Sequence, residues 1–102
     1  MNKPQLSATV ITLHPELFPG PLSASVTGRA LEKKIWSLET IDLRVYGKGK
    51  HKQVDDKPIS GGPGMVLRPD VLDRALLQAS RSVTDTKKLI VCMSPKGIPF
   101  TQ

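Results

Sequence analysis

Two runs, the β-branched ATVITL at residues 8–13 and the continuous apolar LIVCM at residues 89–93, constrain this chain more than any other feature. A strand with no polar alternation needs cover on both faces, which is the signature of a parallel sheet. The segments between them alternate in period. Pro21 opens a stretch in which Leu22, Val26, Ala30 and Leu31 recur at helical spacing, and Lys33 and Lys34 follow where a carboxyl-end dipole favours cations. Gly28 weakens that helix and permits close packing. From Trp36 the period becomes two, with Ile41, Leu43 and Val45 alternating with Asp42, Arg44 and Tyr46, which predicts a half-buried strand near a sheet edge. Pro69 starts a second helix with Asp70 and Asp73 in its first turns, Val71, Leu72, Ala75, Leu76 and Ala79 along one face, and Arg74, Gln78 and Arg81 on the other. The order strand, helix, strand, long loop, helix, strand predicts an α/β fold: a mostly parallel sheet with flanking helices and right-handed crossovers.

A length of 102 residues suits one small unit, which buries roughly two thirds of its unfolded surface. With 38% hydrophobic and 24% charged residues, close to ordinary globular usage, disorder is not expected as the main state. The formal charge of +6 favours a polyanionic partner, since Lys and Arg that neutralise phosphates release condensed counterions. Phe18, Trp36, Tyr46 and Phe100 are too few and too scattered to form a base-stacking platform. The apolar run near the amino end is too short for a signal peptide, and no segment is expected to span a bilayer. The single cysteine, Cys92, lies inside LIVCM, where a small core residue is expected; this fits a reducing cytoplasm.

Residues 47–67 show no period and carry the chemistry. The stretch HKQVDDKPISGGPGM, residues 51–65, follows Lys48 and Lys50 and places His51, Lys52 and Lys57 around Asp55 and Asp56. Lysines hold phosphates without reading sequence, whereas a carboxylate repels phosphate and is useful where it accepts from base-edge N–H groups. Guanine offers two adjacent donors on its Watson–Crick edge, and single-stranded RNA loops expose that edge. For one of the two aspartates an intramolecular role, as an Asx turn or an ion pair with lysine, is the expected alternative. His51 suits a phosphate contact or a solvated loop position equally. Gly61, Gly62 and Gly64, with Pro63 among them, permit positive φ and close approach of a ligand, although a structural turn needs the same residues. A third segment, Met93, Ser94, Pro95, Lys96 and Gly97, directly follows the last apolar run. There it either offers turn backbone to a ligand or forms a tight turn into a further element.

Taken in order, ITLHPELF, VTGRALEK, HKQVDD, GGPGMV, SPKG and PFTQ resemble the amino-terminal part of the bacterial tRNA (guanine-N1)-methyltransferases of the TrmD type, over residues 9–102. The resemblance implies a SPOUT-type trefoil-knot fold, a homodimer, S-adenosyl-L-methionine as methyl donor, and the tRNA anticodon stem-loop as partner. It also implies methylation at N1 of the guanosine immediately 3′ of the anticodon. It places His51, Lys52 and Asp55 in the RNA-reading loop, with Asp55 recognising the guanosine that precedes the target. It places Gly61, Gly62, Pro63 and Gly64 beside the target base, and Met93, Ser94, Pro95, Lys96 and Gly97 in the first donor-binding loop. Ile59 and Ser60 stand where the family has an aromatic residue and a glycine, and Lys96 where it has glutamine. Residues 1–102 are then expected to be the amino-terminal part of one methyltransferase domain, with the knot's completion, the general base and a carboxyl-terminal RNA-binding domain beyond Gln102, and to be inactive alone. The alternative is a small basic RNA-binding module without catalysis, which has no need of SPKG after LIVCM.

Overall fold

The computed structural model describes residues 4–58, 61–81, 88–94 and 97–99. Strand β1 (Leu6–Thr12) leads through two short 3₁₀ turns, Pro15–Leu17 and Gly20–Ser23, into helix α1 (Ser25–Glu32). Strand β2 (Trp36–Asp42) returns parallel to β1, in a register running from Leu6 opposite Trp36 to Thr12 opposite Asp42. A 3₁₀ turn (Leu43–Tyr46) follows, then strands β3 (Asp55–Asp56) and β4 (Val66–Leu67), paired antiparallel, and helix α2 (Pro69–Arg81). The chain is therefore α/β with a parallel strand pair joined through a helix, as the alternation of periods predicts.

The core lies at the carboxyl ends of β1 and β2. Leu43, Val54, Val71 and Ala75 are buried, with Ile11, Leu13, Ile41, Tyr46 and Leu72 packed against them. Helix α2 supplies the anchor: Val71 and Ala75 are fully buried one turn apart, Leu72, Leu76 and Ala79 are half-buried, and Arg74, Gln78 and Arg81 face water. Burying Val71 completely contributes about 1.5–3 kcal/mol by transfer alone. Gly28 is the buried residue of α1, and its role is close approach. A Cβ there would stand 2.0 Å from the Ser23 carbonyl oxygen, so the helix docks on the turn that precedes it.

Four expectations need correction. Strand β1 starts at Leu6 and is half-buried, because among the described residues β2 is its one paired neighbour. Helix α1 begins at Ser25; Pro21 belongs to the preceding 3₁₀ turn, and Leu22 and Val26 of the expected stripe are exposed. Strand β2 stops at Asp42, whose carboxylate accepts from the Arg44 backbone N–H at 3.0 Å and caps the following turn. That local bond overrides the alternation, burying Leu43 and leaving Val45 in water. Residues 89–93 form no strand: they have no regular secondary structure, Leu89 and Met93 are 87% and 89% exposed, and Cys92 is exposed too. A strand apolar on both faces needs neighbours, and no described segment pairs with this one.

Candidate functional site

The basic loop between β2 and α2 is built from two small antiparallel pieces that periodicity does not reveal. In the first, the backbones of Lys48 and Gln53 exchange N–H to carbonyl bonds, both at 2.8 Å. The turn between them has Gly49 and Lys52 at positive φ, and the Lys52 N–H donates to the Gly49 carbonyl. Gly47 makes the closure possible, since a Cβ there would lie 2.3 Å from Lys52 backbone atoms. Lys50, His51 and Lys52 consequently stand exposed at the tip.

Val54 then enters the core and β3 begins. Its two aspartates have different surroundings. Asp56 is held within the molecule: its Oδ1 accepts from the Lys57 backbone N–H at 2.8 Å and its Oδ2 meets Arg68 Nη1 at 3.3 Å. Asp56 therefore takes the intramolecular role expected for one of the pair. Asp55 is half-buried, and among the described residues no donor meets its carboxylate. Gln53 Nε2 donates to the Asp55 backbone carbonyl at 2.7 Å and fixes the main chain at that point.

Beyond Lys57, the glycine segment is exposed. Gly61 and Gly64 adopt φ of +77° and +87°, with open space where a Cβ would stand, so these glycines answer to backbone conformation and leave room beside them. Gly62 and Pro63 are exposed between them. Strand β4 pairs with β3, bringing Leu67 opposite Asp55 and Val66 opposite Asp56. A cleft of about 650 Å³ opens beside this pair, lined by Pro58, Val66, Leu67 and Pro69 together with Asp56, Lys57, Arg68 and Asp70.

The residues that sequence reasoning missed are those that close the loop. Asp70, in the first turn of α2, meets Lys48 Nζ at 3.3 Å and Arg68 Nε at 3.4 Å. Desolvation is the largest influence on Asp70 and acts upward, but hydrogen bonds from Arg68 and Lys48 with the Arg68 charge outweigh it, holding the carboxyl below its ordinary value of 3.8. Lys48 is thus engaged within the protein, whereas among the described residues Lys50, Lys52 and Lys57 have no ion-pair partner. The signal was available in the RPD triplet at residues 68–70, where an acid in the first turn of a helix follows a cation two residues earlier.

Of the third segment, Met93, Ser94 and Gly97 are exposed, and the Gly97 N–H donates to the Ser94 carbonyl at 3.1 Å. A Cβ at position 97 would press to 3.3 Å on the Ser94 oxygen. Pro95 and Lys96 lie outside the described residues, as do Ile59 and Ser60. No helix among the described residues is long and apolar enough to cross a membrane.

The family profile described as tRNA (Guanine-1)-methyltransferase TrmD matches residues 6–102. A tRNA (guanine-N(1)-)-methyltransferase of Jannaschia sp. (strain CCS1) is 57% identical over 97 residues, which are 93% of this chain and 39% of that protein. One from Zymomonas mobilis is 50% identical over 102 residues, covering 100% of this chain and 40% of the relative. The crystal structure of tRNA (m1G37) methyltransferase from Aquifex aeolicus superposes with a TM-score of 0.67 at 29% identity, over 78% of this chain and 35% of that one. The chain spans about two fifths of the length of the curated relatives it matches.

Proposed function

The chain belongs to the tRNA (guanine-1)-methyltransferase TrmD family, and from that premise we propose that it reads RNA and contributes the first donor loop in methylation of tRNA at N1 of the guanosine immediately 3′ of the anticodon. The observation that carries the reading is the contrast between the two aspartates: Asp56 is engaged by the Lys57 backbone N–H and by Arg68, while the half-buried Asp55 presents a carboxylate without a described partner, in a loop where Lys50, His51, Lys52 and Lys57 are exposed. Asp55 accepts from N1–H and N2–H of the guanosine preceding the target. His51 and Lys52, with Lys50 and Lys57, hold the phosphates. Gly61, Gly62, Pro63 and Gly64 line the approach of the target base. Met93, Ser94, Pro95, Lys96 and Gly97 hold the adenosyl part of S-adenosyl-L-methionine, whose bound sulfonium supplies an electrophilic methyl group. The task of these residues is positioning more than covalent chemistry.

No residue in this chain is assigned as the base that takes the N1 proton. At the relatives' full length the protein completes a SPOUT-type trefoil knot, carries a carboxyl-terminal RNA-binding domain and acts as a homodimer in the cytoplasm. The exposed apolar residues at Leu89–Met93 support further cover there. The test is incubation with labelled methyl donor and unmodified tRNA. The 102 residues alone give no transfer, and a full-length protein carrying them does. Turnover by the short chain places the base within it, and a folded full-length protein that binds RNA but neither binds nor uses the donor points instead to a binding module.

A further inference from the structure

We infer that Asp70 is a positioning residue that fastens both ends of the basic loop to α2 and withholds Lys48 from RNA. The inference rests, in its second half, on the RNA-reading role proposed for that loop. One carboxylate serves both ends: Oδ2 meets Lys48 Nζ where the loop begins and Oδ1 meets Arg68 Nε where it ends, at 3.3 and 3.4 Å. Arg68 extends the network to Asp56 at 3.3 Å, and its backbone N–H donates to the Val54 carbonyl at 2.7 Å.

The loop needs such a fastening. Its β3–β4 pair is two residues long on each strand, and the Lys48–Gln53 bridge stands alone; ladders this short do not hold themselves in water. Helix α2 is rigid where Asp70 sits, because the next residue, Val71, is fully buried. An isolated exposed ion pair contributes little, whereas a carboxylate shared by two cations, one of which bridges to a second carboxylate, is the arrangement in which such pairs add up. Leu67, one residue before Arg68, is the register partner of Asp55. Movement of Arg68 therefore passes directly to the strand that carries the reading carboxylate. Meanwhile a lysine paired to Asp70 neutralises no phosphate.

Amide hydrogen exchange on the full chain without RNA decides the first half. In Asp70→Asn the amides of Lys48, Gln53 and Arg68 should exchange about three- to tenfold faster, while those of Ala75 and Leu76 keep their wild-type rates. Asp70→Glu should recover most of the protection, and Lys48→Gln should reproduce the loss at positions 48 and 53 but not at Arg68. Unchanged exchange at the three amides overturns the fastening, and so does an acceleration spread evenly through α2. Titration with an anticodon stem-loop RNA decides the second half. Asp70→Asn should steepen the slope of log K against log salt by about 0.7, the share of one released lysine. A slope equal to wild type overturns that half. A wild-type chain that ignores the RNA contradicts the proposed function and the withholding of Lys48 with it, while the exchange result still decides the fastening.

Discussion

Asp55 and Asp56 are adjacent in sequence, yet one closes a turn and an ion pair while the other has no described partner for its carboxylate. The contrast yields opposite expectations for the two alanine substitutions. In a full-length protein, Asp55→Ala should reduce the preference for guanosine over adenosine at the nucleotide before the target by about 1–3 kcal/mol in kcat/KM, because adenine never offers the donor pair. Donor binding and thermal stability should stay close to wild type. Asp56→Ala should instead loosen the loop, lowering kcat/KM on both RNAs together, with a stability cost under about 1 kcal/mol since the pair is largely exposed. An unchanged guanosine-to-adenosine ratio in Asp55→Ala removes Asp55 from the reading residues. Sequence alone could say that one of the two carboxylates would be engaged internally. It could not say which, because the choice depends on Arg68, twelve residues away along the chain and brought near by the β3–β4 pairing.

Helix α2 was legible for a physical reason: Pro69 and Asp70 mark its start, and the spacing of Val71, Leu72, Ala75, Leu76 and Ala79 marks its buried face. Elements governed by local side-chain bonds or by distant neighbours were not. Asp42 ends β2 through a bond to its own backbone two residues on, β3 and β4 are too short to carry a period, and residues 89–93 carry the composition of a strand without a described partner. The importance of α2 is testable directly. Val71→Ala should cost about 2 kcal/mol in chemical denaturation, the loss of buried methyl groups plus the cavity they leave. The loop that α2 anchors should also respond to acid. Because Lys48 and Arg68 hold the Asp70 carboxyl below 3.8, the fastening is fully present above that value and is lost as pH falls through the lower folded-state value. Amide protection of Arg68 measured from pH 5 downward should fall more in wild type than in Asp70→Asn, where the Arg68–Asp56 pair alone remains to titrate; parallel curves would place the titration elsewhere.

At the scale of the whole molecule, charge and exposed apolar surface point to what the chain meets. Three exposed loop lysines, Lys50, Lys52 and Lys57, remain after Lys48 is paired to Asp70, so RNA binding should follow salt with a slope of about −2. A flat dependence would remove these lysines as phosphate contacts. The apolar residues exposed at Leu89, Ile90, Val91 and Met93, beside the bond from the Gly97 N–H to the Ser94 carbonyl, have the surface character of a segment that is covered in use. The proposed roles of these residues depend on where the methyl group goes. The most direct measurement is labelled methyl transfer by a full-length protein carrying these residues to a tRNA transcript, with the product mapped by mass spectrometry. It should place the label on N1 of the guanosine immediately 3′ of the anticodon, and replacing the preceding guanosine with adenosine should cut kcat/KM in wild type but far less in Asp55→Ala. Label on another base, or an equal response of both proteins to the replacement, would contradict the role of Asp55 and the proposed target.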